Sequence, residues 1–145
     1  MIAQIVAAFI ATVAFSVIYH TPKKYYLFCG ITGAAGWLLY CLLTGPAGIA
    51  ITMATFFSTM LIVFLSRIFA VIQSCPATVF IIAGIFPLVP GSRVYWAAYY
   101  FVINSGAQAL DSAIAAVKLM FAMVLGIVFV TQIPQKFFGL FRKRA

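Results

Sequence analysis

The chain has 145 residues, of which 66% are hydrophobic and only 7% are charged. Because a soluble domain carries about 25% charged residues, this composition excludes an ordinary soluble fold. It predicts an all-α integral membrane protein formed by a single transmembrane domain, residues 1–145. The net charge of +8 comes from basic residues at the ends of apolar runs, a position that predicts contacts with the headgroups of the lipid bilayer. These positions do not form a basic face that could bind nucleic acid.

Five apolar segments follow one another along the chain. We predict spans near residues 2–19, 27–45, 47–65, 68–104 and 113–133, with a basic, aromatic tail over 134–145. The fourth span is interrupted at 87–92, and each flanking run is about half a bilayer long, or ~15 Å of helix. No Lys or Arg precedes the first run, so we expect a retained span and not a cleaved signal peptide.

The basic residues divide unevenly between the two ends of these spans. With five spans, seven cations fall on one side: Lys23, Lys24, Arg67, Lys136, Arg142, Lys143 and Arg144. The other side has Arg93 and the lone acid, Asp111. The positive-inside rule then predicts an external N-terminus and a cytoplasmic C-terminus. A four-span arrangement would put the first lysine pair opposite the tail and divides the charges less well.

Small residues recur at helical spacing in the first two spans. In the first, Ala7 and Ala11 stand beside a second small row formed by Ala8, Thr12 and Ser16. The second span carries three glycines: Gly30, Gly33 and Gly36. Small residues let helices approach closely in lipid, and glycine otherwise weakens a helix, so the glycines predict a contact surface. For the alanines, a contact surface and their general abundance in membrane spans explain the pattern equally well.

The interruption of the fourth span lies within the stretch GIFPLVPGSRVYW, residues 84–96. Pro87 and Pro90 cannot donate backbone hydrogen bonds, and each disfavours helix at the preceding residue. Gly91 tolerates unusual backbone angles. Ser92 is a good N-cap for a helix that runs from Arg93 onward. The chain is therefore expected to leave helical geometry here and to start a new helix.

Two interpretations of this break remain open. In one, it is a turn at the membrane surface. In the other, it lies inside the membrane, where non-helical backbone is tolerated only in protein or beside a water-filled cavity. The new helix start and the Arg93 guanidinium would then bind a carboxylate, and Tyr95, Trp96 and Tyr99 would shape the pocket wall. The half-bilayer runs on both sides favour the cavity.

Ionisable residues are too few for an enzyme. The chain has one acid, one His and three cysteines without metal-binding spacing, so we predict no catalytic constellation, no metal site and no cofactor. Asp111 is the candidate for proton coupling, and Lys118 shares its helical face if the helix begins early. The interpretation that the sequence favours for Asp111, however, is an exposed acid in the first turn of a helix, stabilised by the helix dipole.

The motif IFPLVPG (85–91), between a run that starts at a proline and an aromatic stretch, resembles the threonine/serine exporter family. More narrowly, the chain is similar to the small subunit of its split form, equivalent to the C-terminal half of the fused exporters. The resemblance covers essentially the whole chain. It implies secondary, proton-coupled export of small amino acids or carboxylates across the bacterial cytoplasmic membrane. It also implies a larger five-span membrane subunit as partner, and it allows a higher oligomer.

The sequence is also compatible with a different class of function. A non-transporting assembly or scaffold subunit, or a small pore former, would explain the small-residue rows without any binding site. Export of labelled threonine, serine and small dicarboxylates, with and without the partner, discriminates between these classes.

Overall fold

The computed structural model describes residues 2–134 and 137–138. Its main elements are six helices: α1 (Ile2–Ile18), α2 (Tyr26–Thr44), α3 (Ile51–Gln73), α4 (Thr78–Ile85), α5 (Gly91–Val102) and α6 (Gly106–Thr131). Two 3₁₀ turns, Lys23–Tyr25 and Phe86–Leu88, precede α2 and follow α4. The described residues contain no strand, and the all-α prediction is confirmed.

The helices have the lengths and apolar character that membrane crossing requires. Among the described residues, α3, α6 and α2 with its preceding turn are each long and apolar enough to cross alone. A fourth crossing results if α4, with its following turn, and α5 count as one span bent by 55°. α1 is apolar and has 17 residues, the lower end of the spanning range. The interrupted helix is therefore present where the prolines predict it.

The direction of each helix follows from its contacts. Short turns join α1 to α2 and α2 to α3, and α2 packs against both neighbours. α6 runs parallel to α3, because Gly126 contacts Thr59, and Arg67 bonds Val130 one turn further along α6 and two turns further along α3. The C-terminal ends of α3 and α6 thus share one end of the bundle, which we call the C-end. The opposite end, where α3 and α6 begin, is called the N-end.

The third span is longer than predicted, and this changes the role of Arg67. α3 continues to Gln73, so Arg67 lies inside the helix, and its prediction as a loop charge is wrong. Its Nη1 donates hydrogen bonds to the carbonyls of Val130 (2.6 Å) and Thr131 (3.3 Å) at the end of α6. Its guanidinium also lies 4.4 Å from the ring centroid of Phe138. The cation is accommodated because it meets the negative end of a helix dipole.

The last helix begins earlier than predicted. Only three residues, 103–105, connect α5 to α6, with Asn104 in the left-handed region (φ 58°). α6 starts at Gly106, and the Ala109 N–H donates to the Ser105 carbonyl. Asp111 is consequently the sixth residue of α6 and lies beyond the first turn of this helix. The first turn itself contains no acidic residue. The interpretation of Asp111 as a first-turn dipole acid is therefore wrong.

The glycines of α2 lie where its neighbours come closest. A methyl group at Gly30 would meet the Phe9 ring, and one at Gly33 would meet Thr12, both on α1. Gly36 instead faces Ile62 of α3. Two glycines thus allow the approach of α1 and the third allows the approach of α3, as packing in lipid requires.

On α1, the row that packs is the second of the two small rows. Ala8, Thr12 and Ser16 are buried, whereas Ala7 is exposed and Ala11 is half-buried. The two rows are neighbours on the helix surface, and the sequence does not distinguish them because both are small. The prediction that Ala7 and Ala11 form the α1 contact is therefore wrong by one helix position.

Hydroxyl groups in the bundle are satisfied within their own helices. Seven of them donate to the carbonyl four residues earlier: Thr12, Ser16, Thr32, Thr44, Thr55, Thr59 and Ser66. The buried Ser58 hydroxyl has no hydrogen-bond partner within the described residues. The seven side chains that bond within their own helix are compatible with an apolar environment because their hydroxyl groups do not need water.

The break after α4 lies level with the middle of α3. Leu88 clusters with Ile62, the twelfth of the 23 residues of α3, and with Met123 of α6. Phe86 stacks on Phe15 in the last turn of α1, with ring centroids 3.6 Å apart. The contact with the midpoint of α3 supports the interpretation in which the break lies inside the membrane.

Gly33→Ala is expected to destabilise the protein by about 1–3 kcal/mol, because the added methyl group would overlap Thr12 and push α1 away. Gly106→Ala is the control, since nothing lies within 4 Å of that site. Thermal unfolding of both variants in one detergent provides the comparison. Equal unfolding midpoints would show that this contact does not set the distance between α1 and α2.

Arg67→Gln should lower the free energy of unfolding by about 1.5–3 kcal/mol, the range for hydrogen bonds to a charged group. The loss arises because two carbonyls at the end of α6 lose their donor. Lys23→Gln, which removes an exposed cation near the same C-end, is the matched control. Chemical unfolding of the purified variants measures the difference, and an Arg67 variant as stable as the control would contradict this role.

Candidate functional site

α5 and the first half of α6 enclose a polar cavity of about 510 Å³ at the N-end. α5 contributes Arg93, Trp96 and Tyr100, and α6 contributes Ala107, Gln108, Asp111 and Ser112. This volume lies within the range of about 300–1,000 Å³ that is typical of small-molecule sites. The cavity therefore has both the size and the polar groups for a small ligand.

A second cavity of about 200 Å³ adjoins the first and borders the start of α3, at Ile51 and Thr52. Arg93 and Asp111 line both cavities, and Lys118 joins them in the second. Two cations and one carboxylate thus border two adjoining cavities. Among the described residues, no three His, Cys, Asp or Glu side chains come together as a metal ion would require.

The start of α5 explains how Arg93 reaches this space. Pro90 has no N–H, and its carbonyl accepts from the N–H groups of both Arg93 and Val94 at 3.1 Å. The helix starts at Gly91, so Ser92 lies inside it and makes no capping hydrogen bond; the N-cap prediction is wrong. Because the Arg93 N–H is already occupied, recognition of an anion here depends on the guanidinium and not on free N–H groups.

The structure brings only some of the predicted site residues together. Arg93, Trp96 and Asp111 line one cavity. Pro87 instead borders an apolar groove on the α1 side. Pro90 is buried at the helix start, where it shapes the backbone.

The remaining predicted residues do not line either cavity. Gly91 and Ser92 are exposed in the first turn of α5. Tyr95 (63% exposed) and Tyr99 (44% exposed) stack on one another with ring centroids 6.4 Å apart. Their side of α5 faces away from the cavities, so within this chain they do not form the pocket wall.

The lining residues that the sequence does not assign to the site include four polar side chains of α5 and α6: Tyr100, Gln108, Ser112 and Lys118. A signal for them exists in the spacing. Residues 93, 96 and 100 share one face of α5, and residues 108, 111, 112 and 118 share one face of α6. The sequence alone does not predict that these two faces meet, because their contact depends on how α6 packs against α5.

Comparison with known proteins gives the relationship of the chain. Residues 4–133 match the family described as "Threonine/Serine exporter, ThrE". The chain belongs to the threonine/serine exporter family. This membership confirms the resemblance that the motif IFPLVPG carries.

One relative within the threonine/serine exporter family is much longer than this chain. A protein of Mycobacterium tuberculosis (strain ATCC 25618 / H37Rv), described as "Probable threonine/serine exporter", is 32% identical over 87 residues. The match covers 57% of this chain and 16% of that protein. The chain thus corresponds to only a small part of the relative's length. No solved structure matches this member of the family.

In this threonine/serine exporter family member, a thiol placed at Ser112 should react with a small charged reagent at least about tenfold faster than one at Phe121. Ser112 lines the polar cavity, whereas Phe121 lines an apolar groove between α3 and α6. Only the thiolate reacts, and an apolar environment suppresses it.

The labelling rates are measured in membrane vesicles, in a background that lacks the native thiols Cys29, Cys41 and Cys75. A Phe121→Cys variant that reacts as fast as Ser112→Cys would show that the space between α5 and α6 is not specifically aqueous.

Proposed function

We propose that this chain is a membrane subunit of a secondary transporter that exports small amino acids or small carboxylates, and that the substrate binds between α5 and α6. The observation that carries the proposal is the convergence of Arg93 and Asp111 on one cavity in a member of the exporter family. Ionisable residues within a membrane are costly and mark substrate or proton pathways.

The two charges match the two charged groups of an amino acid. The planar guanidinium of Arg93 can donate two parallel hydrogen bonds to a carboxylate. The Asp111 carboxylate can accept from the ammonium group on the adjacent carbon. Trp96 and Tyr100 supply apolar surface beside these groups. The arrangement therefore recognises a small zwitterion from both ends of its dipole.

Asp111 is also the group that we propose for proton coupling. It is the one acid of the chain and lines both cavities. A carboxylate that alternates between binding a proton and binding the substrate ammonium would link the two movements, since the protonated form no longer attracts a cation.

We further propose that the chain acts with a second, larger membrane subunit. α5 packs mainly against α6, and none of its residues is buried. Half of a membrane span that exposes Tyr95 and Tyr99 needs other protein around it if it borders an aqueous cavity. A partner that covers this face would close the cavity on the side that this chain leaves open.

The proposed location is the bacterial cytoplasmic membrane, with the N-terminus outside and the C-terminus inside. Lys23, Lys24 and Arg67 lie toward the C-end, whereas Arg93 and Asp111 lie toward the N-end. This separation supports the orientation through the positive-inside rule. The other four predicted cytoplasmic cations, Lys136, Arg142, Lys143 and Arg144, lie outside the described residues.

Arg93→Gln is expected to lower the apparent affinity for exported substrate at least tenfold, since losing one partner of a desolvated charge pair costs about 2–5 kcal/mol. Arg93→Lys should restore affinity only in part, because an ammonium lacks the planar fork. Export of labelled threonine and serine from cells expressing the chain with its membrane partner measures this, normalised to folded complex.

Lys23→Gln is the matched control and should leave affinity unchanged. Arg67 does not serve as a control, because it supports the end of α6. Unaltered affinity and maximal rate in Arg93→Gln would overturn the proposed binding site. Flux that never saturates would favour a pore. An active complex that contains this chain alone would remove the need for a partner.

A further inference from the structure

Lys118 adds a second cation to the cavity and has no role in the recognition of a neutral amino acid. It lines the smaller cavity with Arg93 and Asp111, on the same face of α6 as Asp111. Helical side chains lean toward the N-terminus of their helix. The four-carbon stem of Lys118 therefore extends back toward Asp111, which lies seven residues or about 10 Å earlier on the helix.

The charges of this cluster do not balance by themselves. Two cations and one carboxylate give the cavity a net charge of +1. A neutral zwitterion adds one charge of each sign, so Arg93 and Asp111 are satisfied and Lys118 is left without a counterion. Arg93 and Lys118 place two like charges beside one small space, which favours a negative group between them. A ligand with one further negative charge would neutralise the whole set.

We propose that Lys118 binds a second carboxylate, so that the site prefers acidic amino acids over neutral ones. This rests on the proposed function and names the substrate class. The α-carboxylate binds Arg93, the ammonium binds Asp111, and the side-chain carboxylate binds Lys118. All three charged side chains then have partners of opposite sign, and Lys118 determines specificity.

The dimensions fit this class of ligand. Since a water molecule occupies about 30 Å³ of liquid, the smaller cavity of about 200 Å³ has room for about seven waters. This is enough for part of a molecule with four or five carbon atoms, and the adjoining cavity of about 510 Å³ provides the rest. A peptide does not fit in the smaller space.

Lys118 also borders the apolar groove between α3 and α6. A lysine at such a position can alternatively extend its ammonium along apolar surface toward water, with no ligand at all. The experiment below separates these two roles, because only a ligand-binding lysine changes the choice between substrates of equal size.

The test compares aspartate with asparagine, which have nearly the same shape and differ by one charge. Each competes with labelled threonine for export by the chain together with its membrane partner. The wild type should bind aspartate at least tenfold more tightly than asparagine. Lys118→Met should abolish this preference, Lys118→Arg should largely keep it, and Lys23→Met is the control with unchanged selectivity.

Thermal stabilisation of the purified wild-type complex by aspartate and by asparagine gives a second measurement, which needs no variant to fold. Stronger stabilisation by aspartate supports the proposal, and equal stabilisation overturns it. Succinate, which lacks the ammonium, should compete less well than aspartate; stronger competition by succinate would overturn the three-point assignment.

Failure of this inference is distinguishable from failure of the proposed function. A wild type that exports threonine but does not discriminate aspartate from asparagine overturns the role of Lys118 and leaves the transporter intact. A Lys118→Met variant with wild-type selectivity does the same. A wild-type complex that exports no amino acid overturns both.

Discussion

A proline inside a membrane helix leaves a backbone carbonyl without its usual N–H donor, and no water is available to replace it. Pro87 and Pro90 impose this condition within one turn, level with the middle of α3. The chain responds by ending one helix and starting another at an angle of 55°. The rest of the site depends on that change of direction, because it sets the direction of α5, against which α6 packs so that Arg93 and Asp111 line one cavity.

The two ends of the bundle use charge in different ways. At the C-end, Arg67 binds the last carbonyls of α6 and therefore supports the structure. At the N-end, charges of both signs converge on a cavity, where no helix end satisfies them. Membrane proteins place uncompensated ionisable groups where a mobile ligand or proton can pair with them. The sign and surroundings of each charge thus separate the structural end from the end where we propose that substrate binds.

Much of this arrangement could be predicted from the sequence, since hydropathy identifies apolar helices and the two prolines identify the break. What failed depends on contacts between distant residues. A cation at position 67 looked like the end of a span because its acceptors, the carbonyls at 130 and 131, are supplied by another helix. Tyr95 and Trp96 looked equivalent, and only the packing of α5 on α6 turns Trp96 toward the cavity.

The hydroxyl groups that bond back to their own helices have a consequence for motion. Because Thr12, Ser16, Thr55 and Thr59 are satisfied internally, sliding one of their helices against a neighbour breaks none of these bonds. Only van der Waals contacts must be exchanged, as in the shear movements of packed helices. Such an interface allows neighbouring helices to slide past one another without losing hydrogen bonds. In the proposed transporter, such movement would let rigid groups of helices rock around the break and open the cavity to each side of the membrane in turn.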